Sequence, residues 1–204
     1  MRICEVFYSL QGEGTEQGRP TAFVRLAGCN LACGWCDTPS ARDAAGGRDV
    51  AVDVLLDHLW RKKCRTICFT GGEPLLQIDE VVEACRRLSG MGYAVDIETN
   101  GTVDFRPVQP FASVCMDVKC PSSGEKSDLS LLPYIREKDS VKFVVGTNED
   151  LAYVEKVLKH CPIKGEVFVS PVYGSDEKGI ARWVLESGFP VRFQIQLHKY
   201  LEMK

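Results

Sequence analysis

Short runs rich in β-branched and aromatic residues alternate along the chain with amphipathic stretches of helical length. The runs TAFVRLAG, TICFTGG, YAVDIETN, SVCMDVKC, SVKFVVG, EVFVSPV and VRFQIQLHKYL predict strands, and CEVFYSL predicts an extra N-terminal strand at the sheet edge. Apolar residues at helical spacing predict helices over 50–63 (Val54, Leu55, Leu59 on one face), 79–89 (Val82, Cys85, Leu88), 149–160 (Leu151, Val154, Val157, Leu158) and 176–186 (Ile180, Trp183, Val184). Asn148 and Ser175 stand where helix N-caps are needed. Such βα alternation predicts an α/β fold with a mostly parallel sheet. No repeat, low-complexity tract or Pro/Ser linker divides the chain, so residues 1–204 are expected to form one domain.

Polar residues recur at every second position in several of these strands, although parallel strands are normally apolar on both faces. Gln194, Gln196 and His198 share a face, as do Asp96, Glu98 and Asn100, and Asp117 with Lys119; Lys142 lies on a face with Ser140 and Val144. One wet edge strand would explain a single case. A curled sheet with a polar lumen explains all four, and in such barrels chemistry gathers at the carboxyl ends of the strands. GGEP, ETNG, DVKC and QLHK fall there.

Composition narrows the partners. Hydrophobic residues make up 45% and charged residues 26%, as in an ordinary globular protein. With 25 basic against 28 acidic residues, a net charge of -3 gives no bulk attraction to nucleic acid or an anionic membrane. The N-terminal MRICEVFYSLQGEG lacks the apolar run of a secretory signal and no segment approaches 18 apolar residues, so a cytoplasmic location is expected. The ten cysteines are then read as thiols in a reducing compartment, most of them buried small hydrophobes.

AGCNLACGWCDT is the exception, with Cys29, Cys33 and Cys36 spaced C-x3-C-x2-C. A structural zinc site closes with four ligands, and the next candidates, His58 and Cys64, lie more than 20 residues on. A four-iron cluster held by three thiolates leaves one iron open for a ligand. This loop, with Trp35 before its last cysteine, resembles the cluster loop of radical S-adenosylmethionine enzymes. Thr70-Gly71-Gly72-Glu73-Pro74 resembles their glycine-rich motif, where backbone meets the cofactor's amino group.

SLQGEG at 9–14, GRPT at 18–21 and FVRLAGC at 23–29 are similar to the 7-carboxy-7-deazaguanine synthase family, and CDT, TGGEPLLQ, ETNG, VKCPSSG, VKFVV and QLHKYL extend the likeness nearly end to end. The resemblance implies a partial (β/α)6-type barrel, a modified radical S-adenosylmethionine core. It implies conversion of 6-carboxy-5,6,7,8-tetrahydropterin to 7-carboxy-7-deazaguanine with release of ammonia, by a carbon–nitrogen lyase using a [4Fe-4S] cluster, S-adenosylmethionine and Mg2+. The radical comes from the cofactor, so no side chain is expected as the catalytic group. A flavodoxin-type reductant and a homodimer are implied as well.

Roles follow residue by residue from the resemblance. Cys29, Cys33 and Cys36 hold the cluster and Thr38 holds magnesium. Trp35, Cys36, Asp37, Gly72, Glu98, Asp117, Val118, Lys119 and Ser170 meet S-adenosylmethionine. Leu10, Gln11, Gly12, Glu13, Arg25, Thr70, His198 and Lys204 meet substrate. Arg25, a lone charge in an apolar strand, offers a planar fork for a carboxylate; the plainer alternative is a pair with a surface acid. For Lys119 the alternative is an ion pair inside the lumen with Glu98 or Asp117. Some family members end in proline, with the terminal carboxylate on substrate, whereas this chain ends Glu202-Met203-Lys204. Competing readings are a glycyl-radical activating enzyme, which shares the cluster loop, and a zinc-binding module without catalysis.

Overall fold

Alternation of side chains across the strands fixes the architecture, because both strand faces are covered but by different chemistry. The computed structural model describes residues 1–62 and 64–204. In chain order the elements are β1 (Arg2–Leu10), β2 (Pro20–Leu26), β3 (Arg48–Asp49), α1 (Val52–Trp60), β4 (Thr66–Gly71), α2 (Ile78–Gly90), β5 (Ala94–Thr99), β6 (Ser113–Val118), β7 (Ser140–Val145), α3 (Asn148–His160), β8 (Glu166–Pro171), α4 (Glu177–Glu186), β9 (Arg192–Phe193) and α5 (Leu197–Tyr200). They form one open mixed sheet ordered β3-β1-β2-β4-β5-β6-β7-β8-β9. From β2 onward every neighbouring pair is parallel.

One face is the apolar core: Val24, Ile67, Phe69, Ile97, Met116, Phe143 and Val169 pack with the helices. α2 shows why a helix forms and docks there, since Val81, Ala84, Cys85 and Leu88 repeat at i, i+3, i+4, i+7 and are buried. The other face carries the polar alternates, Asp96, Glu98, Asp117 and Lys142. Residues of β1, β2, β4, β5, β6 and β7 line a single cavity on that side, so the open sheet curls around it.

Several expectations shift. β1 pairs antiparallel with β2, but the two-residue β3 lies outside it and is the edge. The last strand stops at Phe193 instead of running through QLHKYL; after Gln194 N donates to Val169 O (3.1 Å), the backbone turns to the 11–14 loop, and His198 rides on α5. In α1 the buried face is Leu55, Leu56 and Leu59, with Val54 exposed; the helix end expected at Lys63 lies outside the described residues. Each N-cap moves by one residue. Thr147 caps α3 in a reciprocal box with Asp150, and Asp176 caps α4 through Gly179 N, because their side-chain oxygens reach the free N–H groups. No helix among the described residues is long and apolar enough to cross a membrane.

Candidate active site

At the carboxyl ends of the parallel strands the curled sheet encloses a cavity of about 500 Å3, within the range of small-molecule sites. Its floor and walls are held by three constructions: a loop clasped by the C-terminal segment, a glycine turn, and a buried string of charges.

The loop after β1 is pinned from the far end of the chain. Gly14 N donates to Gln194 Oε1 (2.7 Å) and Gln194 Nε2 returns to Gly14 O (2.9 Å). Gln17 Nε2 donates to Gly12 O (2.9 Å) and Ile195 O (2.7 Å), and Leu197 N donates to Gly12 O (3.0 Å). Gly12 is required by contact: a Cβ there would sit 2.1 Å from His198 Nδ1. Leu10, Gln11, Gly12 and Glu13 are thereby presented to the cavity.

The turn after β4 is equally constrained. A Cβ on Gly72 would lie 2.1 Å from Gly28 O, and Gly71 has φ +130° against the backbone of Leu26. The glycines therefore serve close backbone packing onto the strand that leads into the cysteine loop, while Gly72 also lines the cavity. Glu73 is fully buried and accepts from Leu75 N (3.0 Å), Thr99 Oγ1 (2.9 Å) and Asn100 N (2.7 Å). It clips the end of β4 to the end of β5. Burial pushes its carboxyl up, against these bonds.

Charges on the inner strand faces pair in sequence. Lys119 Nζ lies 2.9 Å from Asp117 Oδ2 and over the Trp35 ring at 5.3 Å; Lys142 Nζ lies 3.8 Å from the same Asp117 oxygen and 2.8 Å from Glu13 Oε2. Asp117, and not Glu98, is thus the partner of Lys119. Glu98 accepts from Thr70 Oγ1 (3.2 Å), and burial pushes its carboxyl up in spite of Lys142 nearby.

Arg25 is both a cavity residue and half of a pair. Its Nε donates to Glu5 Oε1 (3.0 Å) and its Nη1 to Thr38 Oγ1 (3.0 Å), while the guanidinium stacks over Phe7 at 5.2 Å. The Lys204 side-chain amine meets the same Glu5, so the C-terminal residue reaches the site through its ammonium. Thr38 donates to Asp37 Oδ1 (2.9 Å). Asp37 faces His198 Nε2 (3.8 Å) and Lys199 Nζ (3.2 Å), and first the imidazole and then the ammonium hold its carboxyl well below the ordinary range.

Cys29, Cys33 and Cys36 all line this cavity. Among the described residues no three His, Cys, Asp or Glu side chains converge as a single metal ion requires. A cubane cluster asks for less convergence, since each thiolate binds a different iron. The loop is held by backbone: Gly34 N donates to Ser123 O (2.9 Å), Cys36 N to Cys33 O (3.2 Å), and Arg42 Nη2 to Cys33 O (2.6 Å). Asn100 Nδ2 lies 3.8 Å from Cys29 Sγ, an N–H donor of the kind that tunes a sulfur ligand. Burial pushes the Cys33 thiol up, and Lys119 opposes it. This donor set fits an iron–sulfur cluster. It does not fit zinc with Cys64, whose single S–H is shared between Pro20 O and Thr66 O at the opposite end of β4.

Two expected residues do not open to the cavity. Val118 packs in the core, leaving only its backbone for a ligand, and Ser170 is fully buried with its hydroxyl unpartnered among the described residues. Lys142 and Gln196 line the site and had no expected contact with cofactor or substrate. The signal for Lys142 was a lone cation in the apolar run SVKFVV; Gln196 had none, because its place depends on the turn that follows β9.

The Radical SAM superfamily model matches residues 24–116. A 7-carboxy-7-deazaguanine synthase from Methanospirillum hungatei is 53% identical over 98% of this chain and 85% of its own length. The crystal structure of QueE from Escherichia coli is similar with a TM-score of 0.79 at 25% identity, covering 97% of this chain and 94% of that one. Streptococcus suis SuiB bound to S-adenosylmethionine shares the fold, with a TM-score of 0.56 over 82% of this chain and 44% of that one, at 15% identity.

Proposed function

The chain belongs to the 7-carboxy-7-deazaguanine synthase family of the radical S-adenosylmethionine superfamily, and we propose that it contracts the ring of 6-carboxy-5,6,7,8-tetrahydropterin to 7-carboxy-7-deazaguanine, releasing ammonia. The observation that carries this reading is one cavity holding the three-cysteine loop, the QGEG loop and Arg25 together.

Cys29, Cys33 and Cys36 would hold a [4Fe-4S] cluster, whose chemistry with S-adenosylmethionine supplies the radical that takes hydrogen from C6 of the substrate. Backbone at Trp35 to Asp37, Gly72, and the Asp117 to Lys119 segment hold the cofactor beside it. Arg25 offers its remaining donors to the substrate carboxylate, and its Nε pair with Glu5 fixes the plane of the fork. Gln11, Glu13 and the backbone of the 10–12 segment read the pterin's donor and acceptor edge, with Thr70 and His198 on either side. Thr38 would contribute a hydroxyl to Mg2+, a cation that takes few protein groups. A flavodoxin-type reductant and a homodimer complete the reading.

The test is direct. Anaerobically reconstituted protein incubated with 6-carboxytetrahydropterin, S-adenosylmethionine, magnesium and a low-potential reductant is expected to yield 7-carboxy-7-deazaguanine and ammonia by mass spectrometry and ammonia assay. Substrate returned unchanged from protein with an intact cluster overturns the assignment.

A further inference from the structure

One buried cation at this site has no task in that scheme. Lys142 stands in the middle of β7, where all six residues are buried. Its ammonium faces Glu13 from the loop after β1, Asp117 and Cys115 from β6, and Glu98 from β5. Burial alone would push such an amine toward the neutral form, and the carboxylates of Glu13, Asp117 and Glu98 outweigh it, holding the pKa well above the ordinary lysine value. A buried ion pair of this kind adds little net stability over an apolar pair of similar volume. Its effect has to be sought in what it fixes.

It fixes Glu13. Lys142 Nζ donates to Glu13 Oε2 at 2.8 Å across 129 residues of sequence, and Gln196 Nε2 donates to Glu13 Oε1 at 3.2 Å. Each carboxylate oxygen is thereby occupied on one side and keeps a lone pair on the other. Glu13 lines the cavity. A carboxylate clamped at both oxygens, one of them by an ammonium, is an acceptor–acceptor pair, complementary to two adjacent N–H donors in a plane.

We propose that Lys142 is a positioning residue for substrate recognition: with Gln196 it holds Glu13 as a two-point acceptor that selects a ligand presenting paired N–H donors, as the 2-amino and N3–H groups of a pterin do. This rests on the reading that Glu13 faces substrate.

Four variants test it: Lys142→Gln, Lys142→Arg, Glu13→Gln and the Glu13→Gln/Lys142→Gln double. Each is assayed anaerobically as reconstituted holoenzyme for kcat and KM. Each is also titrated with 6-carboxytetrahydropterin by calorimetry without reductant, so that affinity is read apart from turnover. Lys142→Gln is expected to raise KM and Kd together by roughly tenfold to a hundredfold, with kcat within about threefold of the parent. Lys142→Arg, which keeps the charge, should recover most of the affinity, and the double variant should bind no worse than Glu13→Gln alone. Parental affinity in Lys142→Gln, with binding lost in Glu13→Gln, overturns the proposal and leaves the role of Glu13 standing. Parental affinity in Glu13→Gln removes both. If Lys142→Gln does not fold, the double variant decides, because both charges leave together: a loss beyond that of Glu13→Gln overturns the proposal. A parent protein that binds substrate but does not turn it over defeats the assigned reaction, while the affinities still judge Lys142.

Discussion

The two sides of the cavity are built on different terms. On the strand side, Asp117 and Lys142 stand opposite each other in the β6–β7 register, and their charges, with those of Lys119 and Glu13, are matched inside the wall. On the loop side, residues 27–38 and 194–204 are placed by a few long-range contacts: Ala32 N on Glu125 (2.7 Å), Asn100 on Asn30 (3.0 Å), Gln194 on Gly14. A register moves only if the sheet moves. A clasp of single hydrogen bonds can be altered one bond at a time. The strand wall therefore supplies electrostatics fixed by register, while the loop wall, which carries the three cysteines, is held by contacts that can be altered singly.

Replacing Cys33 with Ala breaks this contrast most severely on the loop side. The expected outcome is complete loss of bound iron, brown colour and turnover, with far-UV circular dichroism and the unfolding midpoint near those of the cluster-free parent. Collapse of the sheet in this variant would mean that the loop supports the strands, contrary to the comparison.

On the strand side the sharpest probe is Asp96. Its carboxyl is pushed up to about 7, first by burial and then by Glu98, while Ser113 Oγ donates to it at 2.9 Å. The unfolded carboxyl ionises near pH 4, so between about pH 4 and 7 the folded chain binds the extra proton. Stability conferred by the neutral form is present below that window and declines as pH rises through it. Asp96→Asn should flatten this decline, gaining at pH 8 relative to pH 4 at most on the order of 4 kcal/mol in urea unfolding. An unchanged pH slope would show that the lumen solvates this carboxylate.

Glu73 joins the two sides. Glu73→Gln places an NH2 where an acceptor serves a buried N–H, and is expected to lower stability by about 2 kcal/mol and to loosen the turn that carries Gly72. Equal stability would remove the clip. The smallest effect is expected from Thr38→Ala: cluster and colour stay, and the magnesium concentration for half-maximal activity rises severalfold. An unaltered magnesium response removes Thr38 as a ligand.

These residues also show how far the chain could be read before its fold was seen. Period-2 alternation in Asp96/Glu98 and Asp117/Lys119 placed the polar lumen, because strand geometry converts sequence spacing directly into a face. The same rule failed for Gln194, Gln196 and His198. There the strand gives way to a clasp on Gly12 and Gly14, a choice set by partners 180 residues away. Glu73 finds its three donors, Leu75 N, Thr99 Oγ1 and Asn100 N, in its own turn and at the end of β5. Arg25 was read as a fork for substrate, and Glu5 opposite it in the β1–β2 register takes part of that fork. Contacts of that kind depend on register and loop closure, which local pattern does not carry.

Cys29, Cys33 and Cys36 are expected to hold a four-iron cluster in this lumen and to leave one iron open to S-adenosylmethionine. Electron paramagnetic resonance of the dithionite-reduced, anaerobically reconstituted protein, recorded with and without S-adenosylmethionine, tests it most directly. A reduced four-iron signal is expected, from about four irons per chain, with g-values that shift when the cofactor is added. A signal indifferent to S-adenosylmethionine, or protein carrying zinc and no iron, would contradict it.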